Sequence, residues 1–131
     1  MGLNKLLRKL RREANRPVDR DSDQILQAAF ENEQSDLYVR GKGVVEKVLP
    51  DDLKGSRHQN FILRLGSGQT LLVSHNIDVA PYIKGLKKGS RIAFKGEYEW
   101  NAQGGIVHWT HKDPRHQHPD GWIKFRGRYY E

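Results

Sequence analysis

Residues 37–46 read Leu-Tyr-Val-Arg-Gly-Lys-Gly-Val-Val-Glu, and their alternation decides the fold. Successive side chains of a strand point to opposite faces. Leu37, Val39, Gly41, Gly43 and Val45 therefore share one face, and Tyr38, Arg40, Lys42, Val44 and Glu46 share the other. Glycines at 41 and 43 remove side chains where the strand must bend, as the strands of a small barrel do.

Downstream, Pro50, Asp51, Asp52, Lys54 and Gly55 make a polar turn. A second alternating run then puts Phe61, Leu63 and Leu65 inward and His58, Asn60, Ile62 and Arg64 outward. Gly66, Ser67 and Gly68 form a tight hairpin into a third strand, from Gln69 to Asn76, with Leu71 and Val73 inward. Between Asp78 and Lys88 the period changes. Val79, Tyr82, Ile83 and Leu86 recur at helical spacing, Asp78 is a candidate cap and Gly89 a stop, so a helix is expected there. A fourth strand follows with Ile92, Phe94, Gly96 and Tyr98 inward, then a turn through Asn101 to Gly105 and a fifth strand near Ile106 to Thr110. The segment from Lys112 to Glu131 reads as a loop and one short extra strand, Trp122 to Tyr130. Three strands, a helix and two strands is the element order of the OB fold. The expectation is a mainly β protein: a small five-stranded Greek-key OB-like barrel with an extra C-terminal strand.

Upstream, Leu3, Leu6, Leu7 and Leu10 keep helical spacing among Lys5, Arg8, Lys9, Arg11 and Arg12, which predicts a basic amphipathic helix ended near Pro17. A second helix, capped by Asp21 or Ser22, is expected to carry Ile25, Leu26, Ala29 and Phe30. Residues 1–36 thus read as an extension of one or two N-terminal α-helices, and 37–131 as the barrel domain.

The chain has 131 residues, no cysteine and a net charge of +7. Residues 1–20 hold seven Lys and Arg against Glu13 and Asp19, whereas 21–36 hold only acids, so these segments cancel and the barrel carries the excess. A basic globular domain favours an anionic partner. Without cysteine there are no disulfides and no thiolate metal sites. There is no apolar run of about 18 residues and no secretory apolar core in 1–20, so no transmembrane segment is expected and the protein reads as cytoplasmic.

Several uncommon strings occur in order: Gly55-Ser-Arg-His-Gln-Asn-Phe61, Ser74-His-Asn-Ile77, Gly96-Glu-Tyr-Glu-Trp-Asn101, Val107-His-Trp-Thr-His111 and Gly121-Trp-Ile123. Together they resemble the bacterial domain-of-unknown-function 3465 family (DUF3465) across residues 37–131. The resemblance implies a short bacterial protein and supplies no catalytic residue.

Histidines at 58, 75, 108, 111 and 116 lie within two residues of Arg, Asn, Asp or Trp, and an imidazole can act as an acid–base group near neutral pH. His58, His75, His108 and His111 are the candidate catalytic residues for phosphodiester cleavage, with Arg57 available to a phosphate. His108, His111 and Asp113 also suggest a metal. Residues three apart on a regular strand face opposite ways, so no metal ligands are assigned unless a bulge or the strand's end intervenes. For nucleic-acid binding the candidates are Tyr38, Arg40, Lys42, Arg57, His58, Asn60 and Arg64, on the outward side of the first two strands. Trp100, Trp109, Trp122 and Tyr129 read as packing residues. No phosphate-cradling glycine loop, nucleophile elbow or HExxH helix occurs, so no cofactor is expected. The first functional reading is a binding module for single-stranded nucleic acid or another polyanion. The alternatives are a histidine-dependent hydrolase (phosphodiesterase or nuclease) and a protein–protein adaptor acting through residues 1–20.

Overall fold

The computed structural model describes residues 18–131, so the predicted basic helix of residues 3–15 lies outside the described residues. Helix α1 (Val18–Glu31) precedes strands β1 (Leu37–Val48), β2 (His58–Leu65), β3 (Thr70–Asn76), β4 (Arg91–Glu99), β5 (Ile106–His108), β6 (Trp122–Phe125) and β7 (Arg128–Tyr130). β1 pairs antiparallel with β2 through its second half and with β4 through its first, β2 pairs with β3, and parallel pairing of β3 with β5 closes the ring onto β4. This is a closed five-stranded barrel of OB type with extra strands outside the ring. β6 continues the sheet on the N-terminal half of β4, and β7 pairs with β6.

The alternation read in β1 to β4 holds. Phe61, Leu63, Leu71, Val73, Phe94, Tyr98 and Val107 are fully buried within the ring. A shift of register between Val45 and Lys47 lets β1 serve two partners. Gly43 sits at that handover, and a Cβ there would run into the carbonyl oxygen of Arg64. Helix α1 closes one end of the barrel. Its Leu26 and Ala29 are fully buried in the same core, the Leu26 carbonyl accepts from Gln69 Nε2 at 3.2 Å, and the Phe30 carbonyl accepts from Trp100 Nε1 at 3.0 Å. Among the described residues the helix runs from Val18 to Glu31, so Asp21 and Ser22 lie within it rather than at its start, and Ser22 is buried.

Residues 78–88 are not helical. Pro81 offers no N–H and disfavours the helical region for the residue before it, and Gly85 adopts φ 81°, which a right-handed helix excludes. The backbone is satisfied from elsewhere. Buried Gln59 donates to the Ile83 carbonyl and accepts from the Ile83 N–H, both at 2.9 Å, so Ile83 enters the core without a helix. Asp78, the expected cap, instead accepts from the Arg57 N–H and from its guanidinium.

The C-terminal segment is a hairpin rather than one strand, turned by Arg126 and Gly127 at φ 52° and 76°. β5 ends at His108 because Trp109 takes φ 56°. Among the described residues no helix is long and apolar enough to cross a membrane.

Candidate functional site

One rung of outward side chains runs round the barrel. Asn60 faces Ser74 across β2 and β3, and Ser74 is one step beyond the Val73 to Val107 pairing that aligns β3 with β5. His108 faces Glu97 across β5 and β4, and Glu97 faces Tyr38 across β4 and β1. Beside this rung lies a cleft of about 280 Å³ lined by Ser56, His58, Ser74, Asn76, His108, Trp109 and His111, among others. The left-handed turn at Trp109 ends the strand between His108 and His111, so both reach the same cleft despite their spacing of three.

The ring nitrogens are set by backbone partners. A carbonyl can only accept, so Nδ1–H donates from His58 to Ser56 at 2.8 Å, from His111 to Lys112 at 2.7 Å and from His118 to Pro119 at 2.8 Å. That leaves Nε2 of His58 and His111 to act as acceptor or ligand, whereas His118 Nε2 is engaged by Glu97 Oε2 at 3.3 Å. Trp109 stacks on His118 with centroids 3.8 Å apart and tilts against His111 at 4.9 Å. Asp113 accepts from the backbone N–H groups of Arg115, Gln117 and His118, each at 2.9 Å. Those N–H groups, Arg115 and Gln117 first, hold its carboxyl below the usual range, and the carboxylate fixes the loop that presents His118.

His75 lies beneath the cleft, not in it. It is fully buried, donates through Nε2 to Pro81 at 3.0 Å and accepts through Nδ1 from Thr110 Oγ1 at 2.7 Å. Burial lowers its pKa to about 4, against opposing help from its hydrogen bonds. Both nitrogens are occupied, so this ring supports the wall of the cleft. Of the candidate catalytic histidines, His58, His108 and His111 come together and His75 stands apart.

The candidate nucleic-acid contacts divide between faces. Arg57 Nε is 2.7 Å from Asp78, which lowers the Asp78 pKa, and Arg64 is 4.0 Å from Glu46. His58 and Asn60 face the uncharged outer side of β3. Arg40 and Lys42 lie instead on a continuous outer face of β1, β4, β6 and β7. There Arg40 pairs with Lys95 and Lys95 with Trp122, while Lys42 pairs with Ala93, Ala93 with Lys124 and Lys124 with Tyr129. Arg91 opposite Val44 extends the same face. Lys124 Nζ sits 5.2 Å from the Tyr129 ring centroid, and Trp122 meets Tyr129 edge-on at 5.2 Å. Tyr38 stands at the border, 5.2 Å from His118 and opposite Glu97.

Sequence reasoning missed Lys95, Lys124, Trp122 and Tyr129 as one face because the pairing of β6 onto β4 joins segments far apart in the chain. Lys95 was legible as an outward residue by the alternation of Phe94 and Gly96. It also missed Glu97 and Glu99, for which the signal was the Glu-x-Glu alternation of β4, and His118, whose place beside Glu97 comes only from the loop after β5.

The ring order, the helix that closes one end and the outward histidine and cation faces define an OB-type barrel protein. The chain belongs to the family described as a protein of unknown function (DUF3465), whose model matches residues 13–131. No curated protein matches the chain.

Proposed function

We propose that the protein is a cytoplasmic binding module that takes single-stranded nucleic acid, or a comparable polyanion, across the outer face of β1, β4, β6 and β7. One observation carries the reading: adjacent cross-strand rungs place Arg40, Lys42, Lys95 and Lys124 beside Trp122 and Tyr129. Single strands are held by cations that follow the phosphates and by aromatic faces on which bases stack. Arg40, Lys42 and Lys124 are exposed, and Tyr129 is 48% exposed, so both kinds of contact are open to solvent.

A second reading has its own observation. His58, His108 and His111 line one cleft, which favours acid–base cleavage of a bound phosphodiester.

Fluorescence anisotropy with labelled single-stranded DNA and RNA at two salt concentrations, followed by a gel of each sample, tests both. Binding with intact oligonucleotide is expected. Lys95→Ala and Lys124→Ala should each weaken it about 3- to 10-fold and reduce the salt slope by about 0.7. Absence of binding at low salt, or affinity indifferent to both substitutions and to Trp122→Ala, sinks the binding reading. Cleaved oligonucleotide, with loss of cleavage in His58→Ala, moves the assignment to the hydrolase.

A further inference from the structure

We propose that Glu97, Glu99 and His108 form a binding site for one divalent transition-metal ion of the zinc class. Glu97 and Glu99 alternate on the outer side of β4, and His108 lies directly across from Glu97 on β5. One ligand atom from each comes within 4.8 Å of the others. His108 Nε2 is 3.7 Å from Glu97 Oε2 and 3.7 Å from Glu99 Oε1.

Those separations are too long for hydrogen bonds. Donors bound at about 2.0–2.2 Å to a shared ion stand about 3–4 Å apart, so the spacing suits a metal.

A pair of exposed glutamates would carry no such reading alone. Here the imidazole supplies an independent observation: Nε2 of His108 is shielded from solvent and has no hydrogen-bond partner, although it points between two carboxylates. A buried polar atom without a partner is uncommon and calls for an explanation, of which an ion is one.

The surroundings add negative charge rather than remove it. Burial first, and then the neighbouring carboxylates of Asp36 and Glu97, push the Glu99 carboxyl up. Among the described residues, no Lys or Arg makes an ion pair with Glu97 or Glu99. His118 Nε2 lies 3.3 Å from Glu97 Oε2 and braces that carboxylate from the loop side.

The donor set selects the ion. An imidazole with two carboxylates suits zinc and its first-row neighbours, whereas magnesium and calcium prefer oxygen alone. Three protein donors leave a position for water on a four-coordinate ion. The site is separate from the basic face and does not depend on the polyanion reading.

The experiment is zinc titration of the chelator-treated, full-length protein by calorimetry, with metal content measured after dialysis. One zinc per chain is expected, bound at least tenfold more weakly in Glu99→Gln and in His108→Gln. In His116→Ala it should be unchanged. Absence of stoichiometric zinc, or stoichiometric zinc that survives the Glu99 and His108 substitutions, overturns the site. Because a variant can fail to fold, the wild-type protein is also followed by ¹H–¹⁵N spectra of its histidine rings. Zinc must shift the His108 Nε2 resonance, and an unmoved His108 signal overturns the proposal.

Discussion

At the scale of the residue, His75 shows how the same side chain can serve chemistry or architecture. Its neighbours in sequence, Ser74 and Asn76, resemble those of a reactive histidine, but alternation along β3 turns it inward, where Thr110 and Pro81 occupy both nitrogens. The pKa of about 4 lies below the ordinary 6.5, so the folded state favours the neutral ring. Protonation therefore draws the chain toward the unfolded state. The stabilisation is complete above pH 6.5 and is lost progressively as pH falls toward 4, amounting to about 3 kcal/mol. Urea unfolding at pH 7.5 and pH 4.5 should reveal that loss in the wild type and a clearly smaller one in His75→Gln. Equal losses in both would place the pH dependence elsewhere. His58, His108 and His111 were legible as candidates because they are outward or in a loop, whereas their convergence required the left-handed turn at Trp109.

At the scale of the element, β1 was readable because alternation records burial directly: Val39 and Val45 are inside, and Tyr38 and Arg40 outside. The segment after β3 misled because Val79, Tyr82, Ile83 and Leu86 keep helical spacing, yet Val79 and Tyr82 are exposed and only Ile83 is fully buried. Pro81 and Gly85 outweigh that periodicity, and Gln59 supplies the hydrogen bonds that a helix would have given. Gln59→Leu keeps the volume but leaves the Ile83 N–H and carbonyl buried without partners. It should cost about 2–4 kcal/mol by denaturant unfolding and speed amide exchange in residues 77–89. A loss below about 0.5 kcal/mol would show that the loop holds its shape by other contacts.

At the scale of the molecule, the barrel is completed by an element outside it. Leu26 of α1 is fully buried, and its methyl and the Phe94 ring both pack over Gly41. Leu26→Ala should destabilise the whole domain by about 2–5 kcal/mol, seen as a single shifted transition by circular dichroism and tryptophan fluorescence. Separate transitions would mean that helix and ring fold independently. The sequence by itself determined the mainly β class, the inward residues of β1 to β4 and the order of the barrel strands, because burial of one strand face imposes a period that local reading detects. Tertiary structure alone decided that β6 docks on β4 to join Lys95 with Trp122 and Lys124, and that β5 sets His108 against Glu97 and Glu99. Those neighbours come from long-range pairing, whose register depends on closure of the ring and leaves no periodic trace in the chain.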